Sequence, residues 1–516
     1  MNSKWMKWVL VMVLLSPLTL IGPPGGVEAK EKPLVVVQHV DVTSFDPTSS
    51  TYGPNRNFYA NVFDALTVWD EKEPTKLAPM LAISWKLIND KTWQFQLRKG
   101  VSFTNGEPFN AQAVKWNIEW LITPGKHTVA GSFNTIERAE VVNDYTINVI
   151  TVKPDPLLPK RFAAYGGQMT PPEYIKKVGR EEFGRKPIGT GPYMLKEWVK
   201  DDHVTLVRNE KYWGRKPDFQ EVIVKPVPDG STRLNMLLTG EADLITSVLP
   251  DQVDRIKESK VCHIETGLGA MNYEYVINAR KGPLSDRRIR QACNYALNKE
   301  LILNKLWKGY GVIINGCITT FDFGYNPDMK PYPYNPAKAK ELIKEAGYGP
   351  GQITFDVMSL ASEKELTEII CAQLNEVGIN ARPRIIEGAE RAKIIKDASL
   401  WENTGGALLI LAGSTLYDAE GILWRTRHPD GLYGNYWEGS QPGKSWSLYE
   451  MMEEARFSFD QEKRKKIYFK ANEICKDEAI SLFLFQYTFI QGVSNRVNYK
   501  IDQGGLIYFG RIYQKK

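Results

Sequence analysis

Apolar and polar positions alternate in several short segments of the chain, and this pattern predicts β-strands. Residues 34–37 form an apolar, β-branched run, and residues 93–97 and 145–149 place polar side chains between apolar ones. A period of two is typical of a strand with one buried face. Residues 231–239 have helical composition instead, and Gly240 follows them as a C-terminal stop. The first half of the chain therefore mixes strands and helices.

The middle of the chain alternates helices and strands more regularly. Asn335 is a good N-cap, Pro336 suits the first helical position, and Gly347 ends the predicted helix. The alternation of strand and helix continues in residues 353–358, 365–377, 381–386 and 407–411. This order predicts an α/β lobe with a largely parallel sheet, whose ligands bind where strands end and loops begin.

The first 29 residues have the order of a signal peptide. Lys4 and Lys7 precede an apolar stretch from Trp8 to Ile21, and Val27 and Ala29 fit the small-residue rule for cleavage. The apolar stretch is too short to cross a hydrocarbon core of roughly 30 Å comfortably. No cysteine lies near the cleavage site to carry a lipid anchor. We therefore expect a periplasmic protein, exported by a cleavable signal peptide and not a lipoprotein.

Composition excludes several classes of protein. The net charge is +6, and the basic residues are interspersed with acidic ones, without the basic stripe that nucleic-acid binding requires. Five cysteines, an odd number and widely spaced, argue against a disulfide framework but leave one incidental bridge open. A chain of 516 residues is long enough for two large domains.

The motifs of common enzyme classes are missing from the sequence. It contains no HExxH zinc motif, no P-loop, no GxSxG elbow and no GxGxxG turn. Paired carboxylates of a glycoside hydrolase leave no local motif, so a secreted hydrolase remains the alternative from another class. We predict no catalytic residue, no metal site and no cofactor.

Six segments stand out in order along the chain: FQLRKGVSF with NGEP (95–108), GTGPY (189–193), NEKYW (209–213), GEAD (240–243), PLSDRRIRQA (283–292) and YNPAKAKELIKEAGY (334–348). The glycines of the GTGPY segment suggest a turn with backbone angles closed to other residues. Together the six segments resemble the family 5 extracellular solute-binding proteins. These proteins are the binding components of dipeptide, oligopeptide, nickel and some oligosaccharide ABC importers.

The resemblance implies an α/β, two-lobed periplasmic-binding-protein fold, class II-like and of cluster C, with mixed sheets and flanking helices. It places lobe I at residues 30–270 with an inserted subdomain at roughly 60–185, lobe II at 271–487, and a return to lobe I at 488–516. Two strands form the hinge, and ligand is enclosed when the lobes close. The implied partners are the ligand and the permease subunits of an ABC importer in the inner membrane. We expect a monomer that binds no nucleic acid; a chemoreceptor is a hypothetical further partner.

The resemblance says less about the ligand. In peptide-binding members an aspartate in a G-W-x-x-D-Y-like loop holds the ligand's amine, but Thr415 stands at that position here and the tryptophan is missing. Asp418 is close enough to substitute. Nickel-binding members match the loop slightly better at Tyr417 and Asp418, and Arg161 is a weak candidate for their arginine. We rank a short peptide first, a nickel or other metal chelate second and an oligosaccharide third.

The predicted ligand-binding residues lie in four segments. They follow the first strand, cross the hinge, occupy the loop after a lobe II strand, and sit in an aromatic, glycine-containing loop. The ten residues are Ser44, Asp46, Asn272, Tyr273, Ser414, Thr415, Tyr417, Asp418, Tyr436 and Trp437.

Overall fold

The computed structural model describes residues 31–401, 405–440 and 447–515. The predicted signal peptide, residues 1–29, lies outside the described residues. The strands are β1 (Leu34–Gln38), β2 (Thr67–Trp69), β3 (Leu77–Pro79), β4 (Ala82–Asn89), β5 (Thr92–Leu97), β6 (Ile136–Asn143), β7 (Thr146–Thr151), β8 (Tyr193–Val199), β9 (His203–Arg208), β10 (Glu221–Pro226), β11 (Leu244–Ile245), β12 (Cys262–Asn278), β13 (Gly311–Ile313), β14 (Ile353–Ser359), β15 (Ile379–Ile385), β16 (Gly406–Gly413), β17 (Ser481–Ser494), β18 (Val497–Asn498) and β19 (Tyr513–Gln514).

Helices flank these strands along the whole described chain. They are α1 (Gly53–Val62), α2 (Ala111–Leu121), α3 (Leu158–Ala163), α4 (Pro172–Arg185), α5 (Gly230–Leu238), α6 (Val253–Lys257), α7 (Arg287–Ala296), α8 (Lys299–Trp307), α9 (Pro336–Glu345), α10 (Lys364–Glu376), α11 (Gly388–Lys396), α12 (Ala419–Arg427), α13 (Leu448–Arg456) and α14 (Gln461–Asp477).

One long mixed sheet runs through the molecule, in the order β15-β14-β16-β12-β17-β11-β1-β10-β9-β8, with β13 added beside β17. β1 pairs in parallel with β10 and β11, and β14 pairs in parallel with β15 and β16. The two long strands between these parallel groups, β12 and β17, are antiparallel to each other. Their register shifts between Leu268 and Asn272, so the two groups meet at a break in the ladder.

Separate apolar cores support the two ends of this sheet. The largest core draws its residues from Tyr273 to Phe485. A second core combines residues between Leu34 and Leu244 with residues between Val493 and Ile512, so the chain returns to its first half at the C-terminus. A third core, between Leu66 and Met169, lies under the four-stranded sheet β4-β5-β7-β6.

The strands and helices predicted from periodicity are present with small shifts at their ends. The Asn335 side chain accepts a hydrogen bond from Lys338 N at 3.0 Å, as an N-cap does, and Pro336 is the first residue of α9. Gly347 and Gly240 have positive φ angles where helices end. The sheet in the middle of the chain is parallel at β14, β15 and β16, as expected. On its other side, β16 pairs antiparallel with β12.

The glycines of the GTGPY segment are required for a different reason from the expected one, which was a turn with unusual backbone angles. Gly189 and Gly191 are not among the glycines with positive φ. A Cβ atom on Gly189 would lie 2.0 Å from Val62 O, and one on Gly191 would lie 2.5 Å from the same residue's carbonyl carbon. Because the segment packs directly on the backbone at the end of α1, close approach and not backbone angle excludes side chains there.

Asp64, just after α1, collects hydrogen bonds from the NEKYW segment. Trp213 Nε1 and Tyr212 Oη donate to its two carboxylate oxygens at 2.8 and 3.2 Å. The side chain is fully buried, and burial raises the pKa of Asp64 to about 7 despite these hydrogen bonds. The motif therefore stabilises the base of α1, the helix that carries part of the site described below.

The raised pKa of Asp64 makes folding stability depend on pH. Between the ordinary value of 3.8 and about 7, the folded protein keeps a proton that the unfolded chain releases, so stability falls as the pH rises across this window. Asp64→Asn cannot titrate there, and we expect it to gain stability relative to the unchanged protein as the pH rises. Urea denaturation at a series of pH values measures this difference in free energy of unfolding. A difference that does not vary with pH would show that Asp64 titrates normally.

Candidate functional site

Charged and aromatic side chains from five distant segments of the chain converge at one place. The segments are α1, the loop after α3, the loop between β16 and α12, α12 itself, and the C-terminal segment 502–511. We call this group the charged cluster; it consists of Arg56, Tyr165, Thr415, Tyr417, Arg425, Asp502, Tyr508 and Arg511.

Tyr165 is close to several members of the charged cluster. The Arg56 guanidinium stacks on its ring, with Cζ 4.4 Å from the centroid, and Arg425 and Thr415 lie near its hydroxyl. Burial by itself would raise the pKa of Tyr165, but the charges of Arg56 and Arg425 outweigh burial and leave the pKa below its usual value. The surroundings of this hydroxyl therefore favour negative charge.

Asp502 supplies the carboxylate of the charged cluster. Its Oδ2 atom accepts hydrogen bonds from Gly504 N at 2.8 Å and Leu506 N at 3.4 Å. Burial raises its pKa, although these amides and the charges of Arg511 and Arg56 act in the opposite direction. Within the described part of the chain, no lysine or arginine forms an ion pair with Asp502. Its Oδ1 atom is left available for a cation.

Three arginines of the charged cluster have no carboxylate partner. Arg56, Arg425 and Arg511 are half-buried, and none of them forms an ion pair with another described residue. Their contacts are instead with aromatic rings or hydroxyls; the Arg511 Cζ atom, for example, lies 4.1 Å from the centroid of Tyr508. Burial, reinforced by the charge of Asp502, raises the pKa of Tyr508 to about 12, so its hydroxyl keeps its proton.

The segment that carries Asp502 is held in place by α1. Asn57 Oδ1 accepts from Ile507 N at 3.0 Å, while Asn61 accepts from Phe509 N at 2.7 Å and donates to Ile507 O at 2.7 Å. Both asparagines are buried and lie one helical turn apart, so they share a face of the helix. Arg56, on the same helix, is thereby placed beside the C-terminal segment.

Of the predicted site residues, Thr415 and Tyr417 belong to the charged cluster. Tyr417 has φ of 47°, a left-handed conformation that costs energy for a residue with a side chain. Its ring packs edge-on against Trp69 with centroids 4.7 Å apart, and Lys160 Nζ lies 3.4 Å from its carbonyl oxygen. This strained loop also carries Thr415, which lies near the Tyr165 hydroxyl.

Asp418 and Ser414 stabilise this loop through hydrogen bonds. Both carboxylate oxygens of Asp418 accept from Arg464 Nη2, at 2.7 and 2.8 Å, and Asp418 also caps α12 by accepting from Glu420 N. Ser414 Oγ donates to Asp418 O at 3.0 Å. The Asp418 carboxylate thus has a full set of internal partners, and its proposed pairing with a ligand amine remains a prediction that would require breaking them.

Ser44 and Asp46 lie in a different cavity, of about 380 Å³. Asp46 pairs with Arg180 at 3.1 Å, and the Arg180 guanidinium stacks on Trp120 with Cζ 3.9 Å from the centroid. Asp46 also accepts from Thr48, which closes a turn after the first strand. These contacts hold the turn together without involving the charged cluster.

The remaining predicted residues have partners inside the second half of the chain. Asn272 donates to Cys317 O at 2.9 Å, and the Tyr273 ring packs against Phe485 with centroids 5.1 Å apart. Tyr436 is buried and donates to Ile394 O at 2.9 Å, and Trp437 is buried close by. Their assignment to the ligand site stays a prediction.

Arg161 is fully buried and engaged by acidic side chains. It pairs with Asp155 at 2.8 Å and with Glu420 at 3.2 Å, while Arg456 joins the same Glu420 carboxylate at 2.9 Å and donates to Asn134 at 2.7 Å. This network connects α3, which carries Arg161, to α12 and α13. Arg161 therefore bridges two parts of the chain, and its guanidinium is not directed at open space.

Most members of the charged cluster were not identified from the sequence. The missed members come from four separate segments without a shared local motif, so only the folded chain brings them together. A partial signal existed in residues 502–505, where Asp502 precedes two glycines in a turn-forming sequence. The members that sequence reasoning missed are Arg56, Tyr165, Arg425, Asp502, Tyr508 and Arg511.

Neither a metal cluster nor a membrane-spanning helix is found among the described residues. No group of three or more His, Cys, Asp or Glu side chains is arranged to hold a metal ion within the described ranges. Among the helices that the structure describes, none is both long enough and apolar enough to cross a bilayer.

Comparisons with known proteins agree with this architecture. Residues 76–432 match the family model of the bacterial extracellular solute-binding proteins, family 5. The chain is 28% identical over 395 residues to the glutathione-binding protein GsiB of Salmonella choleraesuis, which covers 75% of each chain. It is 26% identical over 535 residues to the dipeptide-binding protein of Escherichia coli K12, covering 96% of this chain and 97% of that one.

A similar solved structure is NikA from Brucella suis in complex with Fe(III)-EDTA. The two chains superpose with a TM-score of 0.84 at 26% identity, over 94% of this chain and all of the other. The fold class expected from the sequence, an α/β periplasmic-binding-protein fold with mixed sheets and flanking helices, is confirmed.

Proposed function

Because the chain belongs to the bacterial extracellular solute-binding proteins of family 5, we propose that it captures a short peptide in the periplasm and delivers it to the permease subunits of an ABC importer. The observation that carries this proposal is the charged cluster, where half-buried groups of both signs form no ion pair with another described residue. A peptide supplies both missing charges, an ammonium at one end and a carboxylate at the other.

The names of relatives support a peptide as the cargo. One relative is a dipeptide-binding protein and another a glutathione-binding protein, and both ligands are short peptides with free termini. We propose that Asp502 receives the ammonium, and that Arg425, with Arg56, receives a carboxylate close to Tyr165. Thr415 and Tyr165 then contribute hydroxyl hydrogen bonds that orient the ligand.

Closure of two lobes explains how the ligand is retained. We propose lobe I at residues 30–270 with its return at 488–516, and lobe II at 271–487, with β12 and β17 as the hinge strands. The charged cluster takes Arg56, Tyr165 and Asp502 from lobe I and Thr415 and Arg425 from lobe II. A ligand that contacts both sets favours the closed form by its differential affinity for that form.

Contacts between the proposed lobes also stabilise the closed form directly. Arg161 of lobe I pairs with Glu420 of lobe II, and Arg456 of lobe II donates to Asn134 of lobe I. Lys153 pairs with Glu453 at 3.2 Å across the same boundary. These ion pairs add to the ligand's own contacts and must separate before release.

A metal carried inside an anionic organic chelate is the second candidate cargo. The arginines of the charged cluster suit the carboxylates of a chelator, and NikA, a structure of the same fold, was solved with Fe(III)-EDTA. Asp502 distinguishes the candidates, since a polycarboxylate chelate offers it no ammonium. Neither an oligosaccharide nor the hydrolase alternative is favoured by a specific contact.

The partners follow from this role. We propose a periplasmic monomer, exported through residues 1–29, whose closed form docks on the permease. Docking on a chemoreceptor is an additional hypothesis without structural support.

Native mass spectrometry of the protein purified from the exported fraction tests the proposed function. We expect one small solute per protein molecule, released unchanged on denaturation, and peptide addition should raise the melting temperature. A solute that is converted to products would contradict the receptor role in favour of an enzyme. A protein that neither retains nor binds any peptide or chelate would contradict solute capture altogether.

A further inference from the structure

All five cysteines of the chain are buried, and all are free thiols in the structure. Cys262 belongs to a smaller core beside α6, whereas the other four belong to the largest core. Cys317 and Cys475 come from distant parts of the chain, and both are fully buried. A disulfide requires two thiols whose backbones are held close together, so the contacts around these two residues decide whether they can pair.

Cys317, in the loop after β13, is held at both of its backbone polar groups. Its N–H donates to Asn472 Oδ1 at 3.0 Å, and its carbonyl oxygen accepts from Asn272 Nδ2 at 2.9 Å. Its Sγ atom also lies 3.5 Å from Asn472 Oδ1, so the thiol is directed at α14. A Cβ atom on the preceding Gly316 would lie 2.3 Å from the same oxygen. The loop therefore packs directly on α14.

Cys475 follows Asn472 on α14 by three residues, so the two side chains share one face of the helix. Because Asn472 contacts Cys317, this spacing brings the Cys475 thiol to the Cys317 thiol, and each of the two affects the ionisation of the other. Burial raises the pKa of Cys293 and that of Cys371 to about 12, and no second thiol contributes to either shift. Cys317 and Cys475 are thus a pair.

We propose that Cys317 and Cys475 form a disulfide under oxidising conditions, a modification that joins the loop after β13 to α14. The bond closes a long stretch of chain, so it restricts the unfolded protein more than the folded one. α14 also carries Arg464, which binds Asp418 in the loop between β16 and α12. The bridge therefore fixes the helix that stabilises this loop. The inference goes beyond the proposed function, and only a periplasmic source of the oxidant rests on that function.

The reaction takes place by exchange with an external disulfide, such as oxidised glutathione. The neighbouring Cys475 thiol and the charge of Arg427 lower the pKa of Cys317 although burial opposes them, so Cys317 is the attacking thiolate. Its sulfur bonds to one half of the oxidant, and the other half leaves and takes up the proton. Cys475 then gives up its proton and attacks the Cys317 sulfur, which releases the second half. Two protein thiols are oxidised, and one external disulfide is reduced to two thiols.

Refolding in a glutathione redox buffer tests the inference. Both thiols are fully buried in the folded protein, so exchange must take place before the core closes. Protein that has been reduced and unfolded in urea is refolded with oxidised and reduced glutathione, unfolded again and alkylated without reductant. We expect three of the five thiols to be alkylated and mass spectrometry to find a peptide that links Cys317 to Cys475. Refolding with reductant alone should leave all five open to alkylation.

Cys475→Ala and Cys371→Ala are matched variants, because each removes one buried thiol from a helix. Cys475→Ala leaves Cys317 without a partner, and we expect all four remaining thiols to be alkylated. Cys371→Ala keeps the pair, and we expect two alkylated thiols. Should Cys475→Ala fail to fold, the linked peptide from the unchanged protein still identifies the pair.

Melting curves of the oxidised and reduced forms of the unchanged protein measure the effect of the bridge. We expect the oxidised form to melt about 5 °C higher, because the bridge restricts the unfolded chain. Equal melting temperatures would overturn the stabilising role of the bridge.

The remaining outcomes decide the bridge itself. Five alkylated thiols after refolding with oxidised glutathione, in protein that melts cooperatively, would overturn the bridge. A linked peptide between any other two cysteines would overturn the assignment to Cys317 and Cys475. None of these results depends on a solute, whereas the native mass spectrum tests solute capture without reference to the thiols. Failure of the inference and failure of the proposed function are therefore distinguishable.

Discussion

Replacing Arg425 with glutamine is expected to weaken binding of a dipeptide by about 100-fold, or about 2.7 kcal/mol. The Arg425 side chain lies near the Tyr165 hydroxyl and forms no ion pair with another described residue. In the proposed site, a ligand carboxylate is its ion-pair partner. Glutamine keeps a polar side chain of similar length but supplies neither the charge nor the two parallel N–H donors. Isothermal titration measures the change.

Arg382→Gln is the matched control for Arg425→Gln. Arg382 is exposed on β15, the edge strand of the long sheet, and pairs with Asp356 at 2.8 Å, so the same substitution there removes an equal charge from an exposed ion pair. We expect the dissociation constant of the control to stay within about twofold, because exposed pairs contribute little. Equal affinity in Arg425→Gln and the unchanged protein, with both folded, would remove Arg425 from the ligand site.

Replacing Arg464 with methionine is expected to lower the free energy of unfolding by about 3–5 kcal/mol. The guanidinium binds both oxygens of Asp418, and each side chain is only 1% exposed. Methionine fills part of the space but leaves the Asp418 carboxylate buried without its cation. Burial already raises the pKa of Asp418 against the opposing charge of Arg464, so loss of that charge favours the protonated acid further. Urea denaturation at neutral pH gives the magnitude.

Lys463→Met provides the control for Arg464→Met at the adjacent residue. Lys463 pairs with Glu454 at 2.8 Å, but both side chains are about half exposed. We expect its removal to cost less than about 1 kcal/mol. Adding Asp418→Asn to Arg464→Met removes the uncompensated charge and should recover part of the lost stability. If both single variants lose the same small amount of stability, the Asp418 pair contributes no more than a surface ion pair.

The local elements of the fold followed from the sequence because their causes are local. The side chain of Asn335 caps α9 through a hydrogen bond to a residue three positions away, and Gly347 and Gly240 end helices through their own backbone angles. Periodicity of two or about four residues marks the buried face of each element. None of these interactions requires knowledge of which distant segments lie next to each other.

The candidate site was predicted only where a local rule applied. The match to the family's G-W-x-x-D-Y-like loop pointed to residues 414–418, and of these the charged cluster contains Thr415 and Tyr417. The same loop contains Asp418, whose carboxylate the structure pairs with Arg464 from α14. Arg464, 46 residues away in the chain, thus decides whether the Asp418 carboxylate is available to a ligand. The sequence of the loop does not indicate this partner.

The sequence by itself determined the family, the strand and helix order and, as a prediction, export by residues 1–29, because these depend on short segments read one at a time. Only the tertiary structure decided which charges remain unpaired. Arg56 and Asp502 lie at opposite ends of the chain and meet because Asn57 and Asn61 bind the C-terminal segment to α1. Charge pairing is a property of distances in space, and no periodicity along the chain encodes it.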